Sequence, residues 1–81
     1  MAIQTLTQEA LMTGQVLTDL RTAYKFSQPD IARALGMHPR AITWREGRRE
    51  IKPEWIEDHK RAIEILKAES EQKARDVVDE L

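Results

Sequence analysis

The chain has 81 residues, of which 41% are hydrophobic and 33% charged, with a formal net charge of −1 and no cysteine. That length supports one small domain with a modest core, and the lack of thiols excludes disulfides and thiolate metal sites. No apolar run approaches the length of a membrane span, and the start MAIQTLTQEALM lacks the charged-then-apolar layout of a secretion signal, so a cytoplasmic protein with no membrane partner is expected.

Near the start, Ile3, Leu6, Ala10, Leu17 and Leu20 fall close to helical spacing, which allows one long helix through Gly14. Alternatively, Thr13 caps a fresh helix running from Gly14 to about Lys25. A mid-helix glycine costs about 1 kcal/mol against alanine. This favours the break at Thr13 and leaves residues 1–12 as an N-terminal arm or short helix. The following helix is expected to turn Val16, Leu17, Leu20 and Tyr24 to the core, with Arg21 beside that stripe.

From Phe26 to Glu46 the sequence FSQPDIARALGMHPRAITWRE reads as two short helices joined by a tight turn. Ser27 suits an N-cap, and Pro29 and Asp30 suit a first turn, where a missing N–H does no harm and a carboxylate meets the positive dipole end. Ile31, Ala34 and Leu35 form an apolar stripe, Ala32 permits close helix approach, and Gly36 ends the first helix. The second helix starts at His38 or Pro39 and carries Ile42 inward, which leaves His38, Pro39, Arg40, Thr43 and Trp44 outward.

The loop GRREIK, Gly47 to Lys52, is basic with one apolar anchor, Ile51. Pro53 opens a helix that can reach Leu81, about 43 Å at 1.5 Å per residue. Its Glu57–Arg61, Glu69–Lys73 and Glu71–Arg75 spacings favour surface pairs, and Trp55, Ile56, Ala62, Ile63 and Leu66 are expected to pack on the domain. Residues 67–81 then form a C-terminal helical extension, polar until Val77, Val78 and Leu81.

Charge is distributed unevenly. Residues 1–20 carry −2, residues 53–81 carry −4, and residues 21–52 hold eight basic against three acidic side chains, a net of +5. Phosphate attraction acts locally because the Debye length in cells is about 8 Å, so the near-neutral total does not exclude a nucleic-acid partner. His38 and His59 stand alone, and no glycine-rich phosphate loop exists. The chain is therefore not expected to be an enzyme or to hold a metal or cofactor.

The central stretch resembles the helix-turn-helix of the phage repressor and Cro (XRE-type) family. The residues that carry the resemblance are Leu17, Leu20 and Arg21, then Phe26, Ser27 and Gln28, Ala32, Leu35 and Gly36, Ile42, and Glu46, at unbroken spacing across residues 13–66. It implies an all-α, lambda-repressor-like domain of five-helix type that binds double-stranded DNA. The implied function is sequence-specific transcriptional regulation, as a homodimeric repressor that occupies an inverted repeat. Two rivals are an antitoxin-type autoregulator whose C-terminal helix grips a toxin, and a protein-interaction module on the same fold.

The resemblance assigns roles to Arg21, Glu46 and Gln28, and the outward face of the second helix and its basic loop suggest the others. Arg21 pairs with Glu46, and Gln28 bonds a phosphate while buttressing the second helix. Arg40 is the leading base reader, since its planar fork can bond O6 and N7 of guanine. Thr43 meets a thymine methyl or a phosphate, Pro39 and Trp44 complete the base-facing set, and His38, Arg45, Arg48, Arg49 and Lys52 face phosphate. Two departures stand out: Arg45 occupies a position the family usually fills with a buried apolar residue, and Gly47 comes one place early. Either the end of the second helix rewinds to bury Trp44, or Trp44 stays outside and Arg45 lays its stem over the core. A dimer contact is expected where Val77, Val78 and Leu81 of one copy dock near Trp55, Ile63 or the N-terminal arm of another.

Overall fold

A computed structural model of the chain describes residues 13–81. The expected arm or short helix at residues 1–12 lies outside the described residues. Four helices follow in order: α1 (Gly14–Ala23), α2 (Gln28–Leu35), α3 (Pro39–Glu46) and α4 (Pro53–Glu80). The described residues contain no strand, so the class is all-α. No helix among them is long and apolar enough to cross a membrane.

The chain breaks into helices where its local chemistry demands. Thr13 holds the N-cap position of α1 in an extended conformation, but its side chain makes no capping bond, contrary to the capping role expected for it. The first N–H of the helix, that of Gly14, donates to the Arg48 carbonyl at 2.8 Å, across the fold. At the other end α1 stops at Ala23, two residues before the expected Lys25, because Lys25 turns left-handed with φ of 62°. Lys25 and Phe26 N–H groups then bond back to the Thr22 and Arg21 carbonyls at 2.9 and 3.3 Å, closing the helix end.

Ile31, Ala32, Ile42, Ala62, Ile63 and Leu66 form the central cluster, with Leu20, Phe26, Ala34, Leu35 and Met37 packed around it. Leu17 of α1 and Ile51 of the loop are also buried. Each fully buried Leu or Ile contributes about 1.5–3 kcal/mol relative to exposure, so α2, α3 and the first half of α4 hold one another. Tyr24 is a correction: it is 46% exposed, with the Lys67 ammonium 5.5 Å from its ring, because α1 has ended before it can turn inward. Ile63 is another, since a core residue only 2% exposed offers no docking surface to a second copy.

Beyond Leu66, α4 leaves the body, and every residue from Ala68 to Leu81 is exposed. The described residues span 56 × 29 × 17 Å as a result. The surface pairs on α4 also differ from the expected ones. Glu57 pairs with Lys60, Arg61 with Asp58 and Glu69 with Arg33 of α2. Exposed pairs are worth only about 0–1 kcal/mol each, so a slightly better-placed neighbour is enough to take the partner.

Gly14 is the tightest point of the assembly. A Cβ there would overlap the Glu46 carbonyl and lie 2.6 Å from the Arg45 carbonyl oxygen, so only glycine lets the start of α1 touch the end of α3. Gly14→Ala should therefore destabilise the fold by about 1–3 kcal/mol through overpacking, despite alanine's better helix propensity. Urea unfolding checks this, and an unchanged or higher midpoint would contradict the close contact.

Candidate nucleic-acid interface

Each side chain on the outward face of α3 is placed by a local device upstream of it. Ser27 and Asp30 form a reciprocal capping box: the Asp30 N–H donates to Ser27 Oγ at 3.1 Å and the Ser27 N–H to Asp30 Oδ2 at 2.9 Å. The Ser27 N–H foremost, and the Ser27 hydroxyl next, favour the ionised Asp30 carboxyl and hold it below its ordinary value. Gly36 closes α2 at φ of 67°, and the Met37 N–H returns to the Ala32 carbonyl at 2.8 Å. His38 then caps α3, its Nδ1 accepting from the Arg40 N–H at 3.1 Å, with Pro39 in the first turn.

With Ile42 buried, Arg40, Thr43 and Trp44 stand exposed on the opposite side of α3. Trp44 is 56% exposed, so it remains outside, and the end of α3 is not rewound around it. Its ring lies between the Arg48 guanidinium, 4.6 Å from the centroid, and Trp55, 5.5 Å away. Arg45 takes the inward course. Its side chain is 16% exposed, bonded to Asp58 at 3.0 Å and stacked 5.0 Å over Trp55. The expectation that Arg45 faces phosphate is thus corrected, because Asp58 and Trp55 of α4 already hold its guanidinium.

The inner end of α3 is held through Glu46. Its carboxylate, 4% exposed, accepts from Thr18 Oγ1 at 2.9 Å, from Arg21 Nε and Nη2 at 2.8 Å each, and from Gln28 Nε2 at 3.0 Å. The buried His59 Nε2 lies 3.4 Å from its second oxygen. Burial alone would raise this carboxyl, but the bonds from Arg21, Gln28, Thr18 and His59 outweigh it and hold the pKa at about 2. The same bond raises Arg21 above its ordinary value, against burial. Burial moves His59 the opposite way, below its ordinary value, despite the Glu46 contact, so the ring is neutral at pH 7. Its Nδ1 makes no hydrogen bond of normal geometry, although the Trp55 carbonyl one turn back weakly favours the charged form.

Gln28 serves both ends of this arrangement, since its Oε1 accepts from Thr43 Oγ1 at 2.7 Å while its Nε2 holds Glu46. One amide hydrogen remains for an outside partner. Arg48, Arg49 and Lys52 are exposed along the loop that Ile51 anchors. Arg21, Arg33 and Arg45 are consumed by acidic partners, whereas Lys25, Arg40, Arg48, Arg49 and Lys52 make no ion pair among the described residues. The face around α3 and its loop is consequently more basic than the formal charge suggests, and it offers a guanidinium, a hydroxyl-bearing side chain and an indole in a row. Among the described residues no three His, Asp or Glu side chains gather as a metal site.

Of the residues grouped for dimer contact, Trp55 is half-buried against Trp44 and Arg45, while Val77, Val78 and Leu81 are exposed far along α4. Two members of the inner cluster went unassigned in the sequence, His59 and Gly14. His59 had a legible signal: Ile56, His59, Ile63 and Leu66 repeat at helical spacing, so the histidine sits in the apolar stripe. No family model, curated protein or solved structure matches the chain.

The Glu46 cluster makes stability depend on pH, with one sign for both groups. His59 has a folded pKa below its unfolded 6.5, so the unfolded chain takes up a proton the folded chain refuses, and stability declines as pH falls through 6.5. Glu46, lowered from 4.5 to about 2, contributes stability above pH 4.5 that is lost between there and pH 2. That second loss is on the order of 2–3 kcal/mol. Unfolding midpoints in urea should therefore fall between pH 7 and 5 and again below 4.5, and His59→Phe should flatten the first limb. A level profile from pH 7 to 5 in the parent chain would count against the buried neutral histidine.

Proposed function

We propose that the chain is a sequence-specific double-stranded DNA-binding regulator of the helix-turn-helix kind its sequence resembles, acting as a dimeric repressor by promoter occupancy. The observation that carries this reading is the division of α3 into two faces. Its inner face is locked through Ile42 and Glu46, while Arg40, Thr43 and Trp44 project from the other beside the unpaired Arg48, Arg49 and Lys52. A helix held that firmly can enter a major groove without losing order on binding, and a neighbouring basic loop supplies phosphate contacts.

In this reading Arg40 bonds guanine, Trp44 packs on sugars or methyl groups with Arg48 stacked against it, and His38, Arg49 and Lys52 meet the backbone. The dimer places two such helices one turn of DNA apart, about 34–36 Å. With Ile63 spent in the core, the contact falls to Val77, Val78 and Leu81 of α4, against the Trp55 flank or the same segment of the other copy. The same exposed segment favours the second reading, in which a toxin takes that place and the chain regulates its own promoter.

Two measurements test these assignments. On a DNA site selected from a random pool, Arg40→Ala should lose about 1–3 kcal/mol while binding to random DNA barely changes; Arg49→Ala should weaken both and lower the salt slope by about 1. Equal losses for Arg40→Ala on both DNAs would remove its base-reading role. Truncation after Glu69 should give a monomer by sedimentation at micromolar concentration, and a shortened chain that stays dimeric would place the interface elsewhere.

A further inference from the structure

Thr43 is exposed on the outward face of α3, between Arg40 and Trp44, yet its hydroxyl is committed inward. The direction of that hydroxyl follows from Glu46. An ionised carboxylate only accepts, so Gln28 turns its Nε2 toward Glu46 at 3.0 Å and its Oε1 toward Thr43 Oγ1 at 2.7 Å. An amide oxygen has no proton to give, and the hydroxyl hydrogen therefore belongs to that bond, with the Pro39 carbonyl at 3.3 Å as a second inward acceptor. Phosphate oxygens also only accept. Thr43 has no donor left for them, and what it still offers an outside partner is its methyl group and an oxygen lone pair, which accepts only from a base amine and never from phosphate.

The geometry points to Thr43 as a specificity-determining residue that reads a thymine in the major groove through contact of its methyl group with the thymine C5 methyl. Apolar contact of this type is the chemistry by which a threonine methyl distinguishes thymine from the other bases. The rotamer is held from below by the relay of Glu46, Gln28 and Thr43, so the reading surface is set before DNA arrives. The inference rests on the DNA-binding reading above and narrows it: Thr43 contacts a base and not phosphate.

The test uses the full-length chain and a duplex enriched from a random pool, with each thymine replaced singly by deoxyuridine. The parent protein should lose about three- to fivefold in affinity at one position per half-site, the size expected for one methyl contact. Thr43→Val keeps the methyl and should keep that loss, whereas Thr43→Ser should bind the thymine and uracil duplexes alike. Both changes fall on an exposed side chain, so the fold is retained. An enriched duplex with no methyl-sensitive thymine, or discrimination that survives in Thr43→Ser at every such thymine, would overturn the assignment while leaving DNA binding intact. Discrimination lost in Thr43→Val would assign the reading to the hydroxyl and overturn it equally. Failure to enrich any duplex would instead remove the DNA-binding reading itself, and the role of Thr43 with it.

Discussion

One buried carboxylate organises this small protein. Glu46 stands at the C-terminal end of α3, where the helix dipole disfavours negative charge, and it tolerates that position because donors from α1, α2 and α4 converge on it. The Arg21 fork supplies the opposite charge and also donates to the Phe26 carbonyl at 3.0 Å, so the same guanidinium ties α3 to the turn before α2. Desolvation offsets much of the Coulomb gain of such a pair, and its value lies in fixing one arrangement more than in added stability. Gly14 extends the constraint to the backbone, since its missing side chain is what brings α1 against the Glu46 carbonyl.

That constraint reaches the outward face by way of hydrogen-bond polarity. Glu46 dictates which way the Gln28 amide lies, and the amide dictates where the Thr43 proton goes. The inner and outer faces of α3 are thus chemically coupled through one side chain. A second coupling runs through α4, where Asp58 and Trp55 take Arg45 out of the solvent-facing set and leave Trp44 beside Arg48. Two adjacent residues of similar reach, Trp44 and Arg45, end on opposite sides because only one of them has a carboxylate waiting.

The two halves of α4 differ in kind. Up to Leu66 it is a core element, contributing Ala62, Ile63, Leu66 and the histidine that touches Glu46. Past that residue its acidic length meets the rest of the described residues through Lys67, over the Tyr24 ring, and through Glu69, paired with Arg33. Helices in proteins draw most of their stability from tertiary packing, and a row of exposed Val77, Val78 and Leu81 at its far end gives the segment an apolar surface that the body does not cover.

Much of the architecture was already decided by local chemistry. Ser27, Pro29 and Asp30 specify a helix start in any context, Gly36 supplies the left-handed residue that ends α2, and the spacing of Ile31, Ala32 and Ile42 sets the buried faces, so those elements are legible from the chain alone. The sequence by itself also concentrated positive charge on residues 21–52. Tertiary structure alone decided what depends on partners distant in sequence. Arg45 turned inward because Asp58 and Trp55 lie across from it. Glu69 turned from the expected Lys73 because Arg33 of α2 reaches it. Periodicity fixes which face of a helix is buried, whereas the fate of a charged side chain depends on which opposite charge the fold brings within about 3 Å, and that distance is set by packing between helices, not along them.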